Sequence, residues 1–265
     1  MSEPMKVMVR DFADCSVLIV GGTSGVGMAT AIQLVDSGVR RIALVGRNAE
    51  RGEQARQRVL AAAPDAKVMF VQGDANRVDQ AQRIVAEAHA GMGSIDTLVN
   101  ATIGVYTPDP LMKIPIEDIE PIILSVVMAP MLMCKLVLPL MAERKGGAII
   151  NIASDAAKVP TPGETVLGAA MSAIVVFSRT LAMEAKRNGI RVNVLTPSLI
   201  EGTPTAARNQ ASGFSAKLFA KIKPMAQLGV ATPEDLASLI VYLASPAAGR
   251  LTGQTISVNG GVSAG

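Results

Sequence analysis

The sequence predicts an α/β protein built on one doubly wound parallel sheet of about seven strands flanked by helices. Three observations carry this. Short apolar runs alternate with longer helical patterns along the chain, the runs are too apolar to face water on either side, and no repeat, low-complexity tract or linker interrupts the series. A chain of 265 residues is long enough to bury one large core.

The strand-length runs fall at 17–20, 42–45, 68–71, 98–99, 148–152, 192–195 and 255–258. Val, Ile and Leu dominate them, as strands covered on both faces require. The helices between them start and stop at chemical signals. Asn48 opens one that ends near Ala63-Pro64, and Thr232-Pro-Glu-Asp235 opens another that ends near Ser245-Pro246. The segment 121–141 is apolar apart from Ser125 and Lys135, and is long enough to cross a bilayer. It also carries Pro121, Pro130 and Pro139 and lies between two strand-like runs, so a helix buried against the sheet or a partner subunit is expected there, not a membrane span. Residues 1–11 read as an open tail without an apolar signal core, and 12–265 as the single domain.

Composition excludes several functions. The net charge of +3 and the isoelectric point near 9.0 come from dispersed Lys and Arg, with few aromatics to stack bases, so nucleic acid is not an expected partner. Cys15 and Cys134 form neither a CxxC pair nor a disulfide framework, which places the chain in a reducing cytoplasm. His89 is the only histidine and falls at an apparent helix end, so no metal-ligand spacing exists. Ser154 lacks a Gly-x-Ser-x-Gly elbow, which argues against a hydrolase nucleophile.

The first strand runs into Gly21-Gly22-Thr23-Ser24-Gly25-Val26-Gly27 and then into the helical stretch 28–35. Glycines there permit a tight turn and bring backbone N–H groups up to a pyrophosphate at a helix N-terminus, where the dipole favours negative charge. Further motifs follow in order: Gly46-Arg47-Asn48 after the second strand, Asp74-Ala75 after the third, Val99-Asn100-Ala101-Thr102 at the fourth, and Ile-Asn-Ile-Ala-Ser154 at the fifth. Pro197-Ser198-Leu-Ile200 with Thr203, Leu251-Thr-Gly-Gln and Asn259-Gly-Gly261 complete the series.

Over about residues 12–263 this set resembles the short-chain dehydrogenase/reductase family. The resemblance implies a Rossmann-type fold and a nicotinamide cofactor held by Gly21, Thr23, Ser24, Gly25, Val26, Gly27, Arg47, Asn48, Asp74, Ala75, Asn100, Ala101, Pro197, Ile200 and Thr203. Val20 stands where the family has a Thr, Thr102 where it has a Gly, and Ser198 where it has a Gly. A guanidinium at Arg47, where an acidic residue would grip the ribose of NAD, suits a 2′-phosphate and favours NADP(H) over NAD(H). The resemblance also implies a homodimer or homotetramer, and a substrate-covering segment at about 203–226 whose Phe214, Leu218 and Phe219 suit an apolar or acyl substrate.

The chemical half departs from the family. There, a Tyr thirteen residues after the Ser moves the substrate proton, a Lys four further on lowers its pKa, and an Asn in the preceding helix supports a proton relay. In this chain those positions hold Leu167, Met171 and Val126, and Ser154 alone remains. Tyr106 is the first candidate replacement, in a loop resembling that of 2,4-dienoyl-CoA reductases. Glu164 and Asp155 are two more, although Pro162-Gly163-Glu164 reads equally as a helix start with an acid in its first turn. Lys158, on the loop after Ser154, is placed to reach inward, though such a Lys is more often solvated. The expected function is an NADP(H)-dependent oxidoreductase with non-standard proton transfer, acting on an apolar enone, enoyl or carbonyl substrate. The alternative is a catalytically silent NADP-binding subunit supporting an active homologue.

Overall fold

The computed structural model describes residues 10–211 and 213–264. Seven parallel strands form one sheet: β1 (Ser16–Val20), β2 (Arg41–Gly46), β3 (Lys67–Gln72), β4 (Thr97–Asn100), β5 (Gly147–Ile152), β6 (Ile190–Pro197) and β7 (Thr255–Val258). Their order across the sheet is β3-β2-β1-β4-β5-β6-β7. The strands extend the apolar runs by at most two residues at either end, taking in polar residues such as Ser16 and Asn100, which are buried in the sheet with the Ser16 amide bonded to Asp96 and the Asn100 side chain donating to Asn151.

Among the described residues eight α-helices accompany them: α1 (Gly25–Asp36), α2 (Ala49–Ala62), α3 (Val78–Met92), α4 (Ile119–Glu143), α5 (Thr165–Ala185), α6 (Pro204–Gln210), α7 (Gly213–Ile222) and α8 (Pro233–Ala244). Successive strand residues feed opposite cores, as the period of two demands. Val17, Ile19, Ile42 and Leu44 pack with Leu34 of α1, Val59 of α2 and Ile240 of α8 on one face. Leu18, Val20, Ala43 and Val45 pack with Ile84 of α3, Met133 of α4 and Leu181 of α5 on the other.

The capping signals act as read. Asn48 accepts from the Arg51 amide at the start of α2, and Thr232 and Asp235 form a reciprocal capping box at the start of α8. His89 lies in the last turn of α3, which closes on the left-handed Gly93. Both α4 and α5 are long and apolar enough to cross a membrane, but each lies on the sheet, with Ala129, Met133, Val137 and Met141 of α4 fully buried. Within α4, Pro130 has no N–H for the carbonyl of Val126. Just before it, the Ala129 amide donates to Oδ1 of Asn76 at 3.0 Å, so the interrupted ladder is supported from a neighbouring loop.

Two expectations are corrected. Of the 1–11 tail, residues 1–9 lie outside the described residues, and Arg10 is fixed to the domain through an ion pair with buried Asp96 at 3.6 Å. Asp96 also holds Arg144 at 2.7 Å and accepts from the Ser16 amide. Lys158 is not a solvated side chain: its ammonium donates to Oγ of Ser257 on β7.

Candidate active site and dinucleotide cleft

The strand order reverses between β1 and β4, so the connections after these strands leave in opposite directions and open a crevice at their carboxyl ends. A cleft of about 790 Å³ lies there. Gly21, Thr23, Ser24, Gly25 and Val26 form one wall. Gly21 and Gly25 have φ of 82° and 50°, a left-handed backbone that glycine adopts without strain. A Cβ on Gly21 would meet the carbonyl of Ala101 at 2.6 Å, and one on Gly27 would meet the carbonyl of Gly21 at 2.3 Å. The turn is therefore closed against both the next strand and its own helix. The Ser24 side chain makes no capping hydrogen bond, so the first amides of α1 face the cleft with no side chain competing for them.

Arg47 and Asn48 line the cleft at the end of β2, joined by Arg51 from the first turn of α2. Asp74 and Ala75 lie beyond them, and the Asp74 carboxylate is held by the amide and side chain of Asn76 at 3.0 and 3.1 Å. Ala101, Pro197, Ile200 and Thr203 complete the expected set on this wall. Thr203 caps α6, accepting from the Ala206 amide at 3.1 Å, and its methyl stands over Gly25. These residues suit a nicotinamide dinucleotide: a tight glycine turn whose backbone is packed too closely for larger residues at 21 and 27, helix amides free of a side-chain cap for a pyrophosphate, and two guanidinium groups at the end of β2.

Two cofactor-side expectations are corrected. Asn100 does not reach the cleft. Its side chain is buried and donates to Asn151 on β5 at 2.8 Å, which in turn donates to Ser178 on α5 at 2.9 Å, so it braces the sheet. Gly27 acts through the close approach of α1 to the turn, without lining the cleft.

On the chemical side Ser154, Tyr106 and Met171 line the cleft. Ser154 opens a short 3-10 turn, Asp155–Ala157, and accepts from the Ala156 amide at 3.3 Å. Val126, Leu167 and Met171 fall into one buried apolar cluster with Ala153, Ala170 and Ile174, and the ring of Tyr106 packs against it. Leu167 and Val126 lie behind the cleft wall, and Met171, 1% exposed, forms part of it. The Tyr106 hydroxyl is shielded from solvent and has no hydrogen-bond partner among the described residues. The Asp109 amide beside it is committed to the carbonyl of Gly163 at 2.9 Å. Burial pushes the phenol above its ordinary pKa; the backbone N–H of Asp109 opposes this and the charges of Asp109 and Glu164 reinforce it, so the phenol stays protonated at neutral pH.

The other two carboxylates lie off the cleft wall. Asp155 is buried and accepts from Asn259 at 2.9 Å and from Ser263, which ties the turn after Ser154 to the segment following β7. Glu164 precedes α5 without capping it, which corrects the reading of an ordinary helix start. Burial, reinforced by Asp155, pushes its pKa up to about 7. Sequence reasoning missed Arg51, Asn76, Arg208 and Asn209, all of which line the cleft. An Asx turn was visible in Asp74-Ala-Asn76, and Arg51 repeats Arg47 one helical turn on. Nothing in the pattern marked Arg208 or Asn209.

Comparison with known proteins agrees with this fold. A family model described as enoyl-(acyl carrier protein) reductase matches residues 20–263. A 3-oxoacyl-[acyl-carrier-protein] reductase FabG of Chlamydia pneumoniae is 30% identical over 246 residues, covering 93% of this chain and 96% of that protein. A short-chain type dehydrogenase/reductase from Mycobacterium ulcerans superposes with a TM-score of 0.85 at 28% identity, covering 96% of this chain and 91% of the other. The 3-ketoacyl-(acyl-carrier-protein) reductase from Brucella melitensis, solved with NADH, superposes with a TM-score of 0.83 at 27% identity, covering 95% and 99%. The protein is a member of the short-chain dehydrogenase/reductase family.

Proposed function

We propose that this chain is an NADP(H)-dependent oxidoreductase whose proton transfer does not use the family's Tyr and Lys, and that it reduces an apolar enone or enoyl substrate. The observation that carries this is a division within one cleft. The dinucleotide wall is furnished with the glycine cradle, Arg47 and Arg51, whereas the positions of the usual relay are filled by Val126, Leu167 and Met171. A bound nicotinamide would supply hydride. Ser154 presents a hydroxyl that can bond the substrate carbonyl, and Tyr106 presents an O–H already desolvated and without a competing acceptor. The raised phenol pKa keeps Tyr106 protonated at neutral pH, so its O–H is present to bond the oxygen of an enolate, whose carbon can take its proton from water. A simple ketone, whose developing alkoxide relies on a strong adjacent acid, is less well served.

NADP(H) is favoured because two guanidinium groups stand at the end of β2 and no ion pair involves either of them among the described residues. The exposed Leu124, Val176 and Met183 on α4 and α5 support a homodimer or homotetramer, and a cytoplasmic placement goes with this assignment. The test is direct: purified protein mixed with NADPH and panels of enoyl thioesters, enones and ketones, with nicotinamide absorbance as the readout. Oxidation with a conjugated substrate is expected, and Tyr106→Phe should lower it by about a hundred- to ten-thousandfold without weakening NADPH binding. No oxidation above blank with any substrate would refute the proposal.

A second reading rests on the closure of the relay positions into one apolar cluster: a silent NADP-binding subunit that supports an active homologue. It requires isolation in a mixed oligomer. A homo-oligomer that turns over alone excludes it.

A further inference from the structure

The segment over the cleft carries a polar feature that neither hydride nor proton transfer uses. Arg208 and Asn209, at the end of α6, line the cleft. Nε and Nη2 of Arg208 are shielded from solvent and meet no hydrogen-bond partner among the described residues, and the same holds for Oδ1 of Asn209. None of the ion pairs among the described residues includes Arg208. Leu199, Ala206 and Phe219, which pack together as a small apolar cluster, line the same cleft.

A guanidinium carries its charge at every physiological pH, and donors withdrawn from water without an acceptor destabilise the protein that holds them. Surface arginines avoid this by extending into solvent; Arg208 is folded inward. Its planar fork matches two oxygens of a carboxylate or phosphate. Asn209 beside it offers an acceptor for a hydroxyl or amide of the same ligand.

We propose that Arg208, seconded by Asn209, is an oxyanion-gripping site on the lid, which takes a carboxylate or phosphate borne by a molecule in the cleft. The inference rests on the reading that the cleft holds a nicotinamide dinucleotide and a small carbonyl compound. The oxyanion has two possible bearers, the dinucleotide pyrophosphate and an acidic group on the substrate.

The experiment compares wild type, Arg208→Gln and Arg208→Lys in two arms. In the first, NADPH and NADH are titrated by nicotinamide fluorescence, which no tryptophan obscures because the chain has none. In the second, NADPH-saturated protein is titrated with levulinate against methyl levulinate, and with acetoacetyl-coenzyme A against acetoacetyl-N-acetylcysteamine. Arg208→Gln is expected to weaken one arm about tenfold or more, the size of one charge-assisted contact. A pyrophosphate contact weakens NADPH and NADH together, and a substrate contact weakens the anionic probe and spares its neutral partner. Arg208→Lys recovers part of the loss.

The same Gln substitution should raise the melting temperature of the ligand-free protein, since it removes an unpaired charge; a purely structural arginine would lower it. Wild-type affinities of Arg208→Gln for both nucleotides and both anionic probes would overturn the site, even if the protein proves to be a reductase. Conversely, Arg208-dependent binding without turnover would keep the site and remove the reductase reading.

Discussion

Replacing Glu164 by glutamine should stabilise the protein at neutral pH and leave it unchanged in mild acid. The carboxyl group sits at the entry to α5, largely withdrawn from water, next to Asp155 and with no cation acting on it, and its pKa is pushed from 4.5 up to about 7. A carboxylic acid raised in this way favours folding while protonated. Below about pH 4.5 the group is protonated in both folded and unfolded chains, and its contribution is fully retained. Between pH 4.5 and 7 the unfolded chain releases the proton and the folded chain holds it, so stability falls by about 1.4 kcal/mol per pH unit. Above pH 7 the loss levels off at about 3 kcal/mol, the product of that slope and the shift. Glutamine has nearly the same shape and no charge. Urea unfolding of wild type and Glu164→Gln at about pH 4, 5, 6, 7 and 8 should give stabilities that coincide at the lowest pH and diverge to about 3 kcal/mol at the highest. Parallel curves, or a variant less stable at pH 8, would refute a protonated Glu164 and with it the burial that raises its pKa.

Other outcomes follow from the cleft. Arg47→Ala combined with Arg51→Ala should weaken NADPH by about tenfold or more, a charge-assisted contact to a 2′-phosphate, and leave NADH within about twofold; equal loss for both nucleotides would contradict the assignment. Met171→Lys alone, placing an ammonium at a position 1% exposed, should lower the melting temperature, and NADPH should restore part of the loss by offering ribose hydroxyls. With Leu167→Tyr and Val126→Asn added, reduction of simple ketones should appear in the same absorbance assay. Its absence in a folded, NADPH-binding triple variant would show that the scaffold around the cluster has moved away from the family geometry.

The fold was legible because its signal is redundant. Val17 to Val20 is apolar on both faces, Gly21 to Gly27 follows at once, and caps such as Thr232 and Asp235 act through bonds only three residues apart. The cofactor wall was legible for the same reason, since contacts made by a turn and its own helix are local in sequence. Asn100 was misplaced because its strand neighbour Asn151 lies 51 residues away, and only the register of β4 on β5 brings the two amides together. Glu164 had the same difficulty: whether an acid before a helix caps it or is swallowed depends on Asp155 and the loop at Tyr106, which no local pattern specifies. Arg208 was invisible because a short polar helix reads alike with its arginine turned outward or inward.

The three apolar replacements are physically coupled. A lone lysine at position 171 would sit among Val126, Leu167 and Ile174 with nothing to hold its charge, and a lone tyrosine at 167 would bury a hydroxyl in the same cluster without an acceptor. Once one member is apolar, the remaining polar members lose their partners and destabilise the fold, so their joint replacement gives a close-packed wall where single replacements would leave orphans. That wall is what Tyr106 leans on. The apolar side of its ring is satisfied by the cluster, and its hydroxyl is left at the cleft without a partner. The apolar packing of Val126, Leu167 and Met171 and the burial of the Tyr106 phenol are therefore one packing arrangement. Shaving the cluster, for example by Leu167→Ala, should disturb the position of the Tyr106 hydroxyl before it disturbs NADPH binding.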